Sequence, residues 1–169
     1  VDAYIVTVDD DVIYSENLLR SLIKEYVQNP GCIICTRSHW IRQCNGKLLP
    51  YNHWIKYEKR DGVFDKPSFQ NFFVGCGGTF FPMFLMDRKK LLDKDTFMEI
   101  APTADDVWLN FNAWIAGMKT KNIPGVLGNT ISIQSSSDRG LFRVNKKRND
   151  EQIVKTLDFM GINIKEYMD

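Results

Sequence analysis

Three consecutive carboxylates, Asp9, Asp10 and Asp11, follow directly on an apolar run at residues 3–8. Packed together without a counter-ion they repel one another, and each desolvated charge is costly, so a bound cation is one way to hold them. Hard carboxylate oxygens suit Mg²⁺ or Mn²⁺, which leave positions open for water and substrate phosphates. The plainer reading is an acidic turn whose side chains cap the amides that follow. A second acidic pair, Asp105 and Asp106, opens the stretch "DDVWLNFNAWIAG". Carboxylates in a first helical turn are favoured by the macrodipole, so here too the plain reading is capping. The two groups together carry more weight than either alone.

Between them lies "GCGGTFFP", in which Gly75, Gly77 and Gly78 allow close backbone approach or simply make a tight turn. Trp108 suits the apolar side of a sugar ring and equally suits a core. Lys146, Lys147 and Arg148 read either as a basic loop able to neutralise phosphate or as a solvated surface. Cys32 and Cys35 have the spacing of a metal or redox pair, but their segment is apolar and β-branched, and residues three apart on a strand point to opposite faces. No second Cys or His pair follows at a compatible spacing. The four cysteines are therefore expected as reduced, mostly buried thiols, which favours a reducing compartment.

These residues need elements to place them. Residues 3–8 are expected as a strand buried on both faces, with the acids at its C-terminal end, where ligands sit in open α/β sheets. Ser15 is expected to cap a helix with an apolar stripe of Leu18, Leu19, Leu22, Ile23, Tyr26 and Val27, stopped by "NPG". A strand at 32–37 completes a β-α-β order. Periodicity then fades over 39–70, which is expected as a surface excursion with a tight turn at "CNGK". Two apolar runs flank the glycines. Helices are expected at 88–92, at 104–116 with Val107, Phe111, Trp114 and Ile115 on one face and Gly117 as terminator, and at about 150–160 with Ile153, Leu157 and Met160 inward. Loops and a short strand near 130–133 are expected between the last two. The chain is expected to be one domain, residues 1–169.

Composition narrows the partners. A net charge of +1, from 22 basic against 21 acidic side chains, gives no global field for nucleic acid or an anionic membrane, so any phosphate must be recognised locally. No apolar run approaches the ~20 residues of a membrane span.

The motifs "IVTVDDDVIY", "GCGGTFFP" and "ADDVWL", in that order, resemble those of GT-A glycosyltransferases, particularly the family-2-like bacterial enzymes, and "GLFRVNKKRNDEQ" at 140–152 is also similar. The resemblance implies a three-layer α/β/α fold with a central mixed sheet, lacking the nucleotide-binding β-α-β portion that the family places before the metal motif. It implies transfer of a sugar from a nucleotide diphosphate sugar, a UDP-hexose, to a saccharide hydroxyl with inversion, in polysaccharide or surface glycan synthesis. Asp11 would ligate Mn²⁺ or Mg²⁺, Asp9 would face the ribose or sugar and share in the metal site, and Asp10 would support them. Asp106 would be the general base, with Asp105 as the second candidate. Gly75, Gly77, Gly78 and Trp108 would lie on the acceptor side. A cytoplasmic location, the inner membrane face included, is implied as well. The family's further histidine ligand near the C-terminus has no counterpart, since the histidines are His39 and His53.

Two other classes compete. Haloacid-dehalogenase-like phosphatases also place "DxD" after an apolar strand, but here Val12 and Ile13 follow the acids and Ala104 precedes Asp105 and Asp106. A non-catalytic glycan- or partner-binding domain would need no base at Asp106.

Overall fold

The computed structural model describes residues 3–56, 66–123, 131–132 and 141–168. In chain order the elements are β1 (Tyr4–Thr7), β2 (Val12–Ile13), α1 (Leu18–Gln28), β3 (Ile33–Cys35), β4 (Ser38–Trp40), β5 (Gln43–Cys44) and β6 (Lys47–Leu48). A 3₁₀ turn at Tyr51–His53 leads to β7 (Ile55–Lys56), and β8 (Asn71–Phe73) and β9 (Thr79–Pro82) flank a 3₁₀ turn at Gly75–Gly77. Then come α2 (Arg88–Leu91), α3 (Lys94–Ile100), α4 (Asp105–Ile115), β10 (Thr120–Asn122), β11 (Ile131–Ser132) and α5 (Leu141–Met160). The fold is mixed α/β, with five helices among the described residues.

The principal sheet is mixed, in the order β1-β9-β3-β10. β9 is antiparallel to both β1 and β3, while β10 runs parallel to β3. Because side chains alternate across a strand, β3 serves two cores. Ile34 packs with Leu18, Leu22, Phe80 and Ile123 on the α1 side. Ile33 and Cys35 pack with Phe81, Trp108 and Ala113 on the α4 side. A second sheet, β7-β4-β8, covers a third cluster that includes Ile41, Trp54, Phe72, Phe111 and Leu157.

Several expectations change. β1 is an edge strand in the described sheet, and Tyr4 and Ile5 are exposed rather than buried on both faces. Only Leu18 and Leu22 of the α1 stripe are buried, whereas Leu19, Ile23 and Val27 are exposed. Ser15 does not cap α1: Asn17 is the N-cap residue, and Ser15 Oγ accepts from the Asn17 N–H at 3.3 Å. The described residues of the 39–70 stretch are not all a surface excursion, since His39, Ile41, Trp54 and Gln70 are buried. Strands of two or three residues leave no readable period there. "CNGK" is the expected hairpin, with Asn45 and Gly46 both at positive φ. Of the cysteines, all free, only Cys35 is buried and Cys44 is exposed. α3 and β10 were not anticipated, and α5 begins at Leu141, so Lys146, Lys147 and Arg148 lie on a helix rather than a loop. Residues 57–65, 124–130 and 133–140, including the expected "PG" and "SSSDRG" loops, lie outside the described residues. No described helix is long and apolar enough to cross a membrane.

Asn110 joins α4 to the sheet through one fully buried amide. Its Oδ1 accepts from the Phe73 N–H at 3.2 Å, and its Nδ2 donates to the Phe73 carbonyl at 3.0 Å and to the Asp106 carbonyl at 2.7 Å. Asn110→Leu strips two backbone groups of β8 of their partners, so it should destabilise the fold by about 2–4 kcal/mol, read as a lower urea midpoint at unchanged slope.

Candidate functional site

The acids stand where two turns meet. Asp9, Asp10 and Asp11 form the connection from β1 to β2, and the pairing of Thr7 with Thr79 sets that connection beside the glycine turn preceding β9. Tyr14 ties them together: its hydroxyl accepts from the Asp9 N–H at 2.8 Å and donates to the Cys76 carbonyl at 3.1 Å. On the other side of the turn the Thr36 hydroxyl donates to the Gly77 carbonyl, and Arg37 Nη1 donates to Cys76 Sγ at 3.1 Å.

Two of the three glycines are required by geometry. A Cβ on Gly77 would stand 2.5 Å from Arg37 Cβ, and Gly78 has φ +87 with Leu18 against it. Nothing lies within 4 Å of a Cβ built on Gly75, so space does not demand a glycine there.

Asp105 and Asp106 form the first turn of α4, as expected. Ala104 is the N-cap residue and offers no side-chain bond, but each acid accepts from the next first-turn amide: Asp105 Oδ1 from the Asp106 N–H at 3.0 Å, and Asp106 Oδ1 from the Val107 N–H at 2.9 Å. Capping does not account for their electrostatics. The Asp106 carboxyl is pushed up to about 7, first by burial, then by Asp105, with Asp9 adding to the rise and backbone hydrogen bonds opposing it. Asp9 is raised in turn by desolvation, then by Asp11, Asp105 and Asp10. The two acidic motifs, far apart in the sequence, therefore share one field.

Residues that the sequence reading passed over complete this cluster. Tyr51, in the 3₁₀ turn before β7, has its phenol pushed up by burial and then by Asp106, with Arg37 opposing. Burial raises the Cys76 thiol, Arg37 draws it down, and Asp9 and Asp106 contribute further rises. Arg37 follows β3, and its place after a sheet strand on the side of the acids was a signal available from the sequence. Tyr51 gave none beyond its aromatic setting.

Trp108 is not brought to the acids. Its Nε1 donates to the Leu91 carbonyl at 3.1 Å, and its ring lies 6.0 Å from that of Phe97 and 6.2 Å from that of Phe159. Among the described residues no group of three or more His, Cys, Asp or Glu is arranged to enclose a metal ion. Mg²⁺ seldom needs such a cage, because one or two carboxylates and substrate phosphates complete its shell. Asp9 and Asp11, whose charges act on one another, are the carboxylates that could supply such a donor set.

The Asp106 shift has a consequence for stability. An unfolded Asp ionises near 3.8, whereas the folded carboxyl holds its proton to about 7, so the native state binds more protons between these values and stability falls as pH rises through that window. At about 1.4 kcal/mol per pH unit the cost reaches on the order of 4 kcal/mol when ionised, less whatever water relieves at the half-buried carboxyl. Metal-free Asp106→Asn should therefore melt above the wild type at pH 8, with the gap closing by pH 4 in calorimetric scans. A gap independent of pH would show that the carboxyl is not held in its neutral form. No protein-family model matches the chain and no curated protein is significantly similar to it, so the functional reading stands on this geometry and its chemistry.

Proposed function

We propose that the chain is the metal- and acceptor-binding part of a GT-A-type glycosyltransferase, which transfers a hexose from a nucleotide diphosphate sugar, with UDP as nucleotide, to a saccharide hydroxyl with inversion. One observation carries this reading: the two acidic motifs act on each other, Asp9 raising the proton affinity of Asp106 and Asp105 raising that of Asp9. A donor site and a base must face each other across the sugar being transferred, and a capping carboxylate has no need of such a neighbour. Helices packed on both faces of the mixed sheet support the three-layer arrangement of that class.

In this reading Asp11 and Asp9 hold Mn²⁺ or Mg²⁺, and Asp10 supports them. When bound, the cation stabilises charge on the leaving diphosphate. Asp106 accepts the proton of the acceptor hydroxyl as the new glycosidic bond forms. Its affinity near neutrality suits the task, because a base poised close to the working pH couples a useful ionised fraction to adequate proton affinity. Ionisation of Asp106 also becomes easier when a cation offsets Asp9. Asp105, exposed beside it, keeps the local field negative and is the weaker candidate for the base. Gly75, where no described atom crowds the backbone, offers an approach for the sugar. Arg37 sits where it can balance negative charge that arrives with the donor.

Calorimetric titration of UDP into the full-length protein tests the donor half. Binding should require Mn²⁺ and should weaken at least tenfold in Asp11→Asn; binding indifferent to both would return the acidic triplet to a structural turn. The base half is tested by UDP release from a panel of UDP-hexoses. Asp106→Asn should lower kcat by about 10²–10⁴-fold while UDP binding stays within twofold. Wild-type kcat should rise with pH through about 7.

A further inference from the structure

α5 turns an unusual face toward the rest of the protein. Asn149, Gln152 and Thr156 are buried along it, beside the apolar Ile153 and Leu157. Burying an amide costs desolvation and side-chain entropy that a leucine would not incur, so Gln152 is better explained by direction than by adhesion. The Thr156 hydroxyl donates to the Gln152 carbonyl of α5 itself, while Gln152, with Asn145 and Asp150, reaches the two segments that carry the acceptor side of the cluster. Gln152 Oε1 accepts from both the N–H and the hydroxyl of Thr103, at 3.1 and 3.2 Å. Asn145 Nδ2 donates to the Thr103 carbonyl at 2.6 Å. Between these two in sequence, Asp150 Oδ1 accepts from the Tyr51 N–H at 2.6 Å.

Thr103 is the second residue before Asp105, so whatever holds its peptide groups sets the direction in which α4 starts. The neighbouring 3₁₀ turn carries Tyr51, whose phenol lies in the field of Asp106 and Arg37. One helix thus holds by polar contacts both the lead-in to the acidic pair and the aromatic residue beside it. Apolar contacts tolerate sliding, whereas three hydrogen bonds on one threonine fix position and orientation together.

We propose that Gln152, with Asn145 and Asp150, is a positioning residue for the transfer: α5 clamps Thr103 and Tyr51 so that Asp106 and the Tyr51 hydroxyl face the same acceptor hydroxyl. This rests on the reading of Asp106 as the base. A misplacement of about 1 Å costs on the order of a hundredfold in rate, so loosening the clamp should fall on kcat rather than on donor binding.

The test uses the full-length protein with Gln152→Met, Asp150→Ala, Asp150→Asn and Asp106→Asn. Two readouts are taken: amide hydrogen exchange at Thr103 and Tyr51, and kcat with donor KM for UDP release. Asp150 is exposed, so its variants report even if Gln152→Met does not fold. Gln152→Met should speed exchange at Thr103, and Asp150→Ala at Tyr51, each at least tenfold, with kcat down tenfold or more and donor KM within twofold. Asp150→Asn, whose carbonyl oxygen can accept the same N–H, should restore both. Faster exchange with unchanged kcat, while Asp106→Asn is inactive, would leave α5 a structural helix and overturn the clamp alone. Retention of wild-type kcat by Asp106→Asn would instead remove the base, and the positioning role with it.

Discussion

The pairing of β1 with β9 is the constraint from which the cluster follows. With Thr7 opposite Thr79, the strand that ends in three carboxylates is locked beside the strand that begins after Gly78. A slip of one residue would turn every side chain of β1 to the other face. It would also carry Asp9 away from Tyr14, whose hydroxyl spans from the Asp9 amide to the Cys76 carbonyl. Since β9 also pairs with β3, the same register delivers Arg37 to the far side of the glycine turn. Close approach there is possible because Gly77 has no side chain to meet Arg37 Cβ.

With the backbone fixed in this way, the charges have little freedom to avoid one another. Asp106 begins a helix whose dipole favours a negative charge, yet burial and Asp105 hold its proton on to about 7. A protein that needed only a capped helix could have placed Ser or Thr at the N-cap, where Ala104 stands, and spared the buried carboxyl. The Asp9 carboxyl is raised as well, by desolvation and then by its acidic neighbours. Strain of this kind is expected where stability has been given up for function, because perturbed carboxylates cluster at sites that handle protons or cations. Structural ion networks perturb carboxylates too, but they do so by pairing, whereas the dominant neighbours of Asp106 and Asp9 are other acids.

How much of this was legible in the sequence depended on the range of the interaction. The helix at 104–116 was readable because Val107, Phe111 and Trp114 recur at helical spacing and Gly117, at φ +72, ends it. The hairpin at Asn45 and Gly46 was readable because positive φ has few takers. Burial was misread wherever it depended on neighbours rather than on pattern. Tyr4 and Ile5 look like core residues and lie on an edge strand; Trp54 and His39 look like loop residues and are buried. For the site, the acids were visible as types, but Arg37 and Tyr51 are brought to them by β3 and by the turn before β7, and no local spacing encodes that meeting. The basic run at 146–148 misled for the opposite reason, since charge suggested a loop where helical continuity from Leu141 prevails.

Trp108 shows the same limit from the side of chemistry. It follows Asp106 by two residues, and in a helix neighbours two apart face in nearly opposite directions. If Asp106 opens toward Asp9, Trp108 must turn away, and it does, to Leu91, Phe97 and Phe159. An aromatic residue beside Asp106 is therefore to be sought across the cluster rather than along the helix. Tyr51 holds that place, on a different element and anchored by Asp150. Helix geometry thus turns away the tryptophan that sequence proximity suggests, and the aromatic neighbour of Asp106 comes instead from the 3₁₀ turn that Asp150 of α5 holds.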